Sequence, residues 1–160
     1  MWKILFTARQ NFSNFVVEET ITTTITAVAK FEIKDGVTII PEGTTEIGIL
    51  AFKDCTSLKS VEIPKGVAEI GFGTLYDCTS LESITIPESV MVIRDCVFED
   101  CRSLKSVTIP ESVTEIGHRA FYGCTSLESI VIPKGVTMIW SSAFHRCTSL
   151  TAVTLPVGVN

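Results

Sequence analysis

Histidine, tyrosine and tryptophan are each present only twice in this 160-residue chain. Acid–base or metal chemistry built on imidazole therefore rests on His118 and His145 alone. Charged residues are only 19% of the chain against 46% apolar ones, which excludes a disordered, self-repelling polymer. Yet no apolar run approaches the ~18 residues that a membrane-spanning helix needs, so no membrane insertion is expected. Basic residues are outnumbered, 13 to 18, for a net charge of -5. A nucleic-acid binder needs the opposite balance, so nucleic acid is not an expected partner. No C-x2-C pair occurs, so the usual zinc spacing is missing too.

What is present is periodic. Cys55, Cys78, Cys101, Cys124 and Cys147 stand 23 residues apart, and only Cys96 falls outside that series. All six prolines keep the same step: Pro41, Pro64, Pro87, Pro110, Pro133 and Pro156. Leu58, Leu81, Leu104, Leu127 and Leu150 keep it, as do Phe52, Leu75, Phe98, Phe121 and Phe144. A fixed period of this length marks a repeat protein, and it makes the cysteine spacing a repeat signature rather than a disulfide pattern.

One unit, Cys124 to Arg146, reads as one coil. In Leu127–Ile132 the residues Ile130 and Ile132 alternate with outward positions, which predicts a strand with one buried face. Pro133 has no N–H to give to a ladder and ends it. A turn follows, where Ser89 and Ser112 stand in place of Gly43, Gly66 and Gly135. Serine at that place predicts a turn that needs no positive φ. Val113–Ile116 predicts a second, short strand, and Gly117–Thr125 a compact loop or 3₁₀ turn that drives Ala120, Phe121 and Cys124 inward. A single coil cannot bury so many apolar side chains, but stacked coils share one core. The expected fold is a β-rich repeat solenoid, a right-handed superhelix of stacked parallel strands with unequal walls, and hence curved.

These residues resemble the BspA-like class of leucine-rich repeat, whose 23-residue pattern L-x-S-[VI]-x-I-P-x-[GS]-V-x-x-I-x-x-x-A-F-x-x-C-x-S runs through residues 41–160. The chain departs from it at Leu75, Thr74 and Val97, where apolar or small character is kept. The resemblance implies a curved solenoid used for recognition, often on the surface of anaerobic bacteria or protists, binding host or partner proteins. It implies no catalytic residue and no cofactor.

Residues 1–35 lie off the lattice and are β-prone from Thr20 to Ile33, so they are expected to cap the core. The Met1–Phe6 stretch is too short for a secretory signal and is soon followed by Arg9 and Gln10. Residues 36–160 give about five repeats, the last incomplete and uncapped. There Val153, Leu155, Val157 and Val159 would stand without cover, an edge suited to a homodimer through the C-terminal end.

The lattice cysteines are expected to be free, buried filler, with Cys96 partly exposed and the fastest to react. His118 and His145 are expected on an exposed loop, and Asp95, Glu99 and Asp100 on a solvated one. Outward residues of the long strands form columns across the coils: Lys59, Glu82, Lys105 and Glu128, and beside them Glu62, Thr85, Thr108 and Val131. These predict a concave face that binds a protein or glycan, while alternating charges fix register. Phe72, Tyr76, Met91, Tyr122, Met138 and Trp140 lie on the opposite side. The expected function is a non-enzymatic recognition module at the cell surface or secreted, with self-assembly as the alternative role and the cytoplasm as the alternative place.

Overall fold

The computed structural model describes residues 31–159. It contains no helix among them, and its strands alternate between three residues and two. In chain order they are β1 (Val37–Ile39), β2 (Glu46–Ile47), β3 (Ser60–Glu62), β4 (Glu69–Ile70), β5 (Ser83–Thr85) and β6 (Val92–Ile93). Then come β7 (Ser106–Thr108), β8 (Glu115–Ile116), β9 (Ser129–Val131), β10 (Met138–Ile139) and β11 (Ala152–Thr154). All strand pairing is parallel and in the 23-residue register, for example Ile84 with Val107 and Ile93 with Ile116. The result is a parallel-strand solenoid of about five turns.

The long strands make one wall and the short strands another. Hydrogen-bonded ladders join β1 to β3, β5 to β7 and β9 to β11 on the long wall, and β2 to β4 and β6 to β8 to β10 on the short one. Neither wall is one unbroken sheet. The loop after each short strand makes a third wall with a denser backbone pattern. The N–H groups of Leu50, Phe52 and Asp54 donate to the carbonyls of Phe72, Thr74 and Tyr76 in the next coil, and the triplet recurs at each following coil down to Arg119, Phe121 and Gly123.

That pattern follows from two columns of left-handed residues. Leu50, Gly73, Cys96, Arg119 and Ser142 have φ between 54° and 61°, and Asp54, Asp77, Asp100, Gly123 and Arg146 between 55° and 71°. The first and last donors of each triplet are left-handed, and the phenylalanine or leucine midway between them donates in the same direction along the stack. An L side chain pays for the left-handed conformation with about 1–2 kcal/mol, so the coil-to-coil bonds hold it there.

The core lies between the three walls. Phe98, Phe121, Leu104, Leu127, Val113 and Ile116 are fully buried. Phe121 stacks between Phe98 and Phe144 at 5.1 and 5.3 Å. At the N-terminal side Phe31 stacks on Phe52 at 5.0 Å, although it lies off the lattice. Residues 1–30 of the expected cap lie outside the described residues. Thr74, at an alanine position, is buried with its hydroxyl satisfied, donating to the Gly71 carbonyl at 2.7 Å with the Gly48 carbonyl the other acceptor in reach at 3.1 Å.

Three expectations need correction. The turn after each proline lacks a positive φ at Gly66, Ser89, Ser112 and Gly135 but has one at Gly43 (85°) and Gly158 (92°). Inner turns press on the preceding coil: the Ser112 hydroxyl donates to the Val90 carbonyl at 2.7 Å, and a Cβ on Gly135 would lie 2.6 Å from the Glu111 carbonyl oxygen. Nothing lies within 4 Å of a Cβ at Gly43 or Gly158, so those two turns are free to adopt the other form.

The second correction concerns the thiols. All six are free, but the lattice series is fully buried only at Cys78, Cys101 and Cys124, with Cys55 and Cys147 half-buried in the outer coils. Cys96 is buried rather than partly exposed, at 9%. Its thiol lies 3.9 Å from the His118 carbonyl of the next coil, and burial, then a hydrogen bond with Glu99, pushes its pKa up to about 12. Third, Glu99 is not solvated. It is 3% exposed and pairs with Arg119 at 2.7 Å, because Arg119 in the next coil lies over Tyr122, 4.0 Å from the ring centre, and reaches back.

Candidate functional site

The long-strand wall places Lys59, Glu82, Lys105 and Glu128 in one exposed column and Glu62, Thr85, Thr108 and Val131 in another. Period-2 alternation sets the second column: Val61, Ile84 and Ile130 face the core, so Glu62, Thr85 and Val131 beside them face out, while the first column lies one residue ahead of each strand, outside the alternation. Of the expected charge ladder, one rung closes. Lys105 Nζ lies 3.7 Å from Glu82 Oε2, and both side chains are more than half exposed. Such a pair contributes about 0–1 kcal/mol and fixes register more than it stabilises. Val131 is 65% exposed and Ile39, in the same column, 67%. The face therefore carries small and charged residues between two aliphatic ones.

The edge residues sit where the periodicity puts them. Val153 and Leu155 occupy columns that are buried at Ile130 and Ile132, yet are themselves 44% and 55% exposed. Val157 is fully exposed, while Val159 is half-buried against the core. β11 is hydrogen-bonded to β9 along one edge.

The short-strand wall carries the larger exposed side chains. Phe72, Met91, Met138 and Trp140 are 44%, 61%, 39% and 50% exposed. Tyr76 and Tyr122 are half-buried in the loop wall, so they belong to a different surface. A cleft of about 370 Å³ opens on the short-strand wall, from Phe72 to Trp140, with Arg94, Asp95, Glu115 and His118 along it. Trp140 Nε1 donates to Glu115 Oε1 at 2.6 Å. Arg94 pairs with Glu69 at 2.9 Å, the His118 N–H donates to Asp95 Oδ1 at 2.8 Å, and His118 Nδ1 lies 2.9 Å from the Ser141 hydroxyl. The repeat hid this cleft, because its members vary from coil to coil and the lattice draws attention to what stays constant.

The chemistry available to the thiols is limited by the stack. Cys78, Cys101, Cys124 and Cys147 each donate to a carbonyl of the preceding coil, at Phe52, Leu75, Phe98 and Phe121, over 3.1–3.2 Å. Burial is the main cause that raises all their pKa values, to about 11 at Cys147. A protonated thiol is a poor nucleophile and a poor metal ligand. Among the described residues, no three His, Cys, Asp or Glu side chains are placed to hold a metal ion. The described residues contain no helix long and apolar enough to cross a membrane.

The 23-residue columns of proline, phenylalanine and cysteine together match a known repeat. The BspA type leucine-rich repeat region matches residues 30–151 in six copies. The chain belongs to this family. Its solved relatives share the fold. A leucine-rich cell surface protein of Faecalibacterium prausnitzii is 40% identical, with a TM-score of 0.73 over 76% of this chain and 32% of its own. A leucine-rich repeat protein of Bacteroides ovatus is also 40% identical, with a TM-score of 0.73 over 75% of this chain and 33% of its own. The leucine-rich repeat protein of T. pallidum is 36% identical, with a TM-score of 0.75 over 78% and 61%. The chain thus spans about a third of the length of the first two. No curated protein matches it. The family and these relatives are leucine-rich repeat proteins, a fold consistent with a protein-recognition module.

Proposed function

We propose that this BspA-type chain is a non-enzymatic recognition module that binds a protein or glycan through its long-strand wall, at the cell surface or in a secreted protein. The observation that carries the reading is the exposed double column from Lys59 and Glu62 to Glu128 and Val131, held by backbone ladders on a buried core. A face set on stacked coils needs little ordering when it binds, which lowers the entropic cost of association. The name of the F. prausnitzii relative, a cell surface protein, supports the placement. Binding is tested by immobilising the chain and challenging it with extracellular-matrix and host-cell extracts. A ligand retained by the native chain and lost by a Thr85→Arg, Thr108→Arg, Val131→Asp variant that remains folded supports the reading. Equal retention by both overturns the assignment to this wall. Protease treatment of intact native cells tests the placement, since a surface protein is digested and a cytoplasmic one is spared.

A second reading, self-assembly, is favoured by Val153 and Leu155, which are exposed in columns that are otherwise buried. In this reading a second copy covers them, with Val157 and Val159 beside the contact. Sedimentation of the chain at high concentration should give a dimer that Val157→Lys with Val159→Lys converts to a monomer. A native monomer excludes this role for the edge.

A further inference from the structure

The short-strand wall has a column Gly48, Gly71, Arg94, Gly117, Trp140, one residue per coil. Gly117 lies between the two large members, and a Cβ there would be 2.5 Å from Asp95 Oδ1 and 2.6 Å from the Asp95 nitrogen. Side chains thus rise on both sides of a place where backbone and the Asp95 carboxylate close together. The cleft of about 370 Å³ occupies this place. Its size lies within the range of small-ligand sites, roughly 300–1,000 Å³.

We infer that this cleft binds one or two sugar rings of a glycan, with Trp140 as the stacking platform. Trp140 is half exposed, yet its indole is held by the 2.6 Å bond to Glu115. An exposed aromatic ring that is already oriented offers a flat apolar face at low entropic cost. The C–H face of a pyranose ring is the complementary surface, apolar in the middle and rimmed by hydroxyls. The cleft meets such a rim with both kinds of partner. Arg94 donates, Asp95 and Glu115 accept through the oxygens not used by His118 and Trp140, and His118 offers its second ring nitrogen.

The charges choose between ligand classes. An anionic group would meet Asp95 and Glu115, with Glu69 next to Arg94. A cationic side chain would be drawn to Asp95 and Glu115 but would leave the Arg94 donors unused. A neutral, hydroxyl-rich ring uses donors and acceptors together. Phe72, at the other end, adds a second apolar rim 44% exposed, which suits a ligand longer than one ring. The site is on a different wall from the proposed protein-binding columns, so the two readings stand or fall separately.

The test follows the Trp140 indole N–H resonance by NMR, assigned by its loss in Trp140→Phe, while the whole chain is titrated with cellotetraose, N,N′,N″-triacetylchitotriose, a β-galacto-oligosaccharide and a mannotriose. A tetralysine peptide and inorganic phosphate are the charged controls. At least one saccharide should shift the resonance saturably below about 10 mM. Trp140→Ala should weaken that binding at least about tenfold, read on the saccharide's own signals, and Arg94→Ala should weaken it less while the backbone spectrum stays native. Val131→Asp on the long wall should leave it unchanged. No shift with any of the four saccharides overturns the inference, as does a shift with tetralysine or phosphate alone, or saccharide binding that survives Trp140→Ala in a folded protein.

Discussion

The loop wall and the long-strand wall of this solenoid reverse the usual ranking of loop and sheet. The long wall has regular strands, yet its ladders join coils in pairs. The loop wall has no strand, yet three backbone bonds cross between its coils at each described step from Leu50 to Gly123. It also carries the aromatic stack, the thiol column and the Glu99–Arg119 pair. The comparison teaches that cohesion between coils depends on where N–H and C=O groups point, not on whether a segment is classed as a strand. It also leaves the long wall's outer face with little structural duty beyond the Lys105–Glu82 pair, which suits a binding face.

The sharpest test compares core residues contributed by the two walls. Phe121→Ala empties a site between Phe98 and Phe144 and should cost about 3–5 kcal/mol in urea unfolding. Ile109→Ala, from the long-strand side and 8% exposed, should cost about 2–3 kcal/mol, at the lower end of the range for such truncations. If Ile109→Ala proves the costlier of the two, the loop wall is not the chief source of cohesion. Arg119→Ala strikes a polar contact of the loop wall. It leaves Glu99 buried without its partner and should cost about 2 kcal/mol, more than Lys105→Ala on the long wall, which should cost under about 1 kcal/mol.

Alkaline pH probes the same wall through its thiols. Burial holds their folded pKa values above the unfolded value of about 8.5, so their stabilising effect is complete below that pH and is lost as pH rises. Stability should fall by about 1.4 kcal/mol per pH unit for each buried thiol between roughly pH 9 and 10. Replacing Cys78, Cys101 and Cys124 by alanine should flatten that slope, and an unchanged slope would mean that those thiols are not buried. In native protein at pH 8, Cys55 and Cys147 should react with a thiol reagent before Cys96 does. The smallest effects belong to surface positions. Ser142→Gly, at a left-handed site filled by Gly73 in another coil, should change stability by 0 to about +1 kcal/mol. Thr108→Ala on the long wall should stay within about 0.5 kcal/mol.

Much of this architecture is legible without coordinates. A strict 23-residue step in proline, leucine, phenylalanine and cysteine announces stacked coils, and the i, i+2 pattern of Ile130 and Ile132 assigns the long strands and their outward columns. The loop wall is harder to read. One left-handed column holds Leu50, Gly73, Cys96, Arg119 and Ser142, five different residues at one conformation, and carries no compositional sign; the other, with Asp54, Asp77, Asp100 and Gly123, carries the Asp and Gly that this conformation favours. The burial of Glu99 is equally hidden, because an acidic residue in a polar loop looks solvated until Arg119 of the next coil is placed beside it.

The sequence by itself determined the period, the parallel register, the inward columns and the family, because each depends on residues that repeat at a constant step, and a constant step is a one-dimensional property. The tertiary structure alone decided which thiols are covered, where the backbone turns left-handed, and that Arg94, Gly117 and Trp140 frame a cleft. Those outcomes depend on what a neighbouring coil brings to within 3–4 Å, and they rest on the residues in which the coils differ.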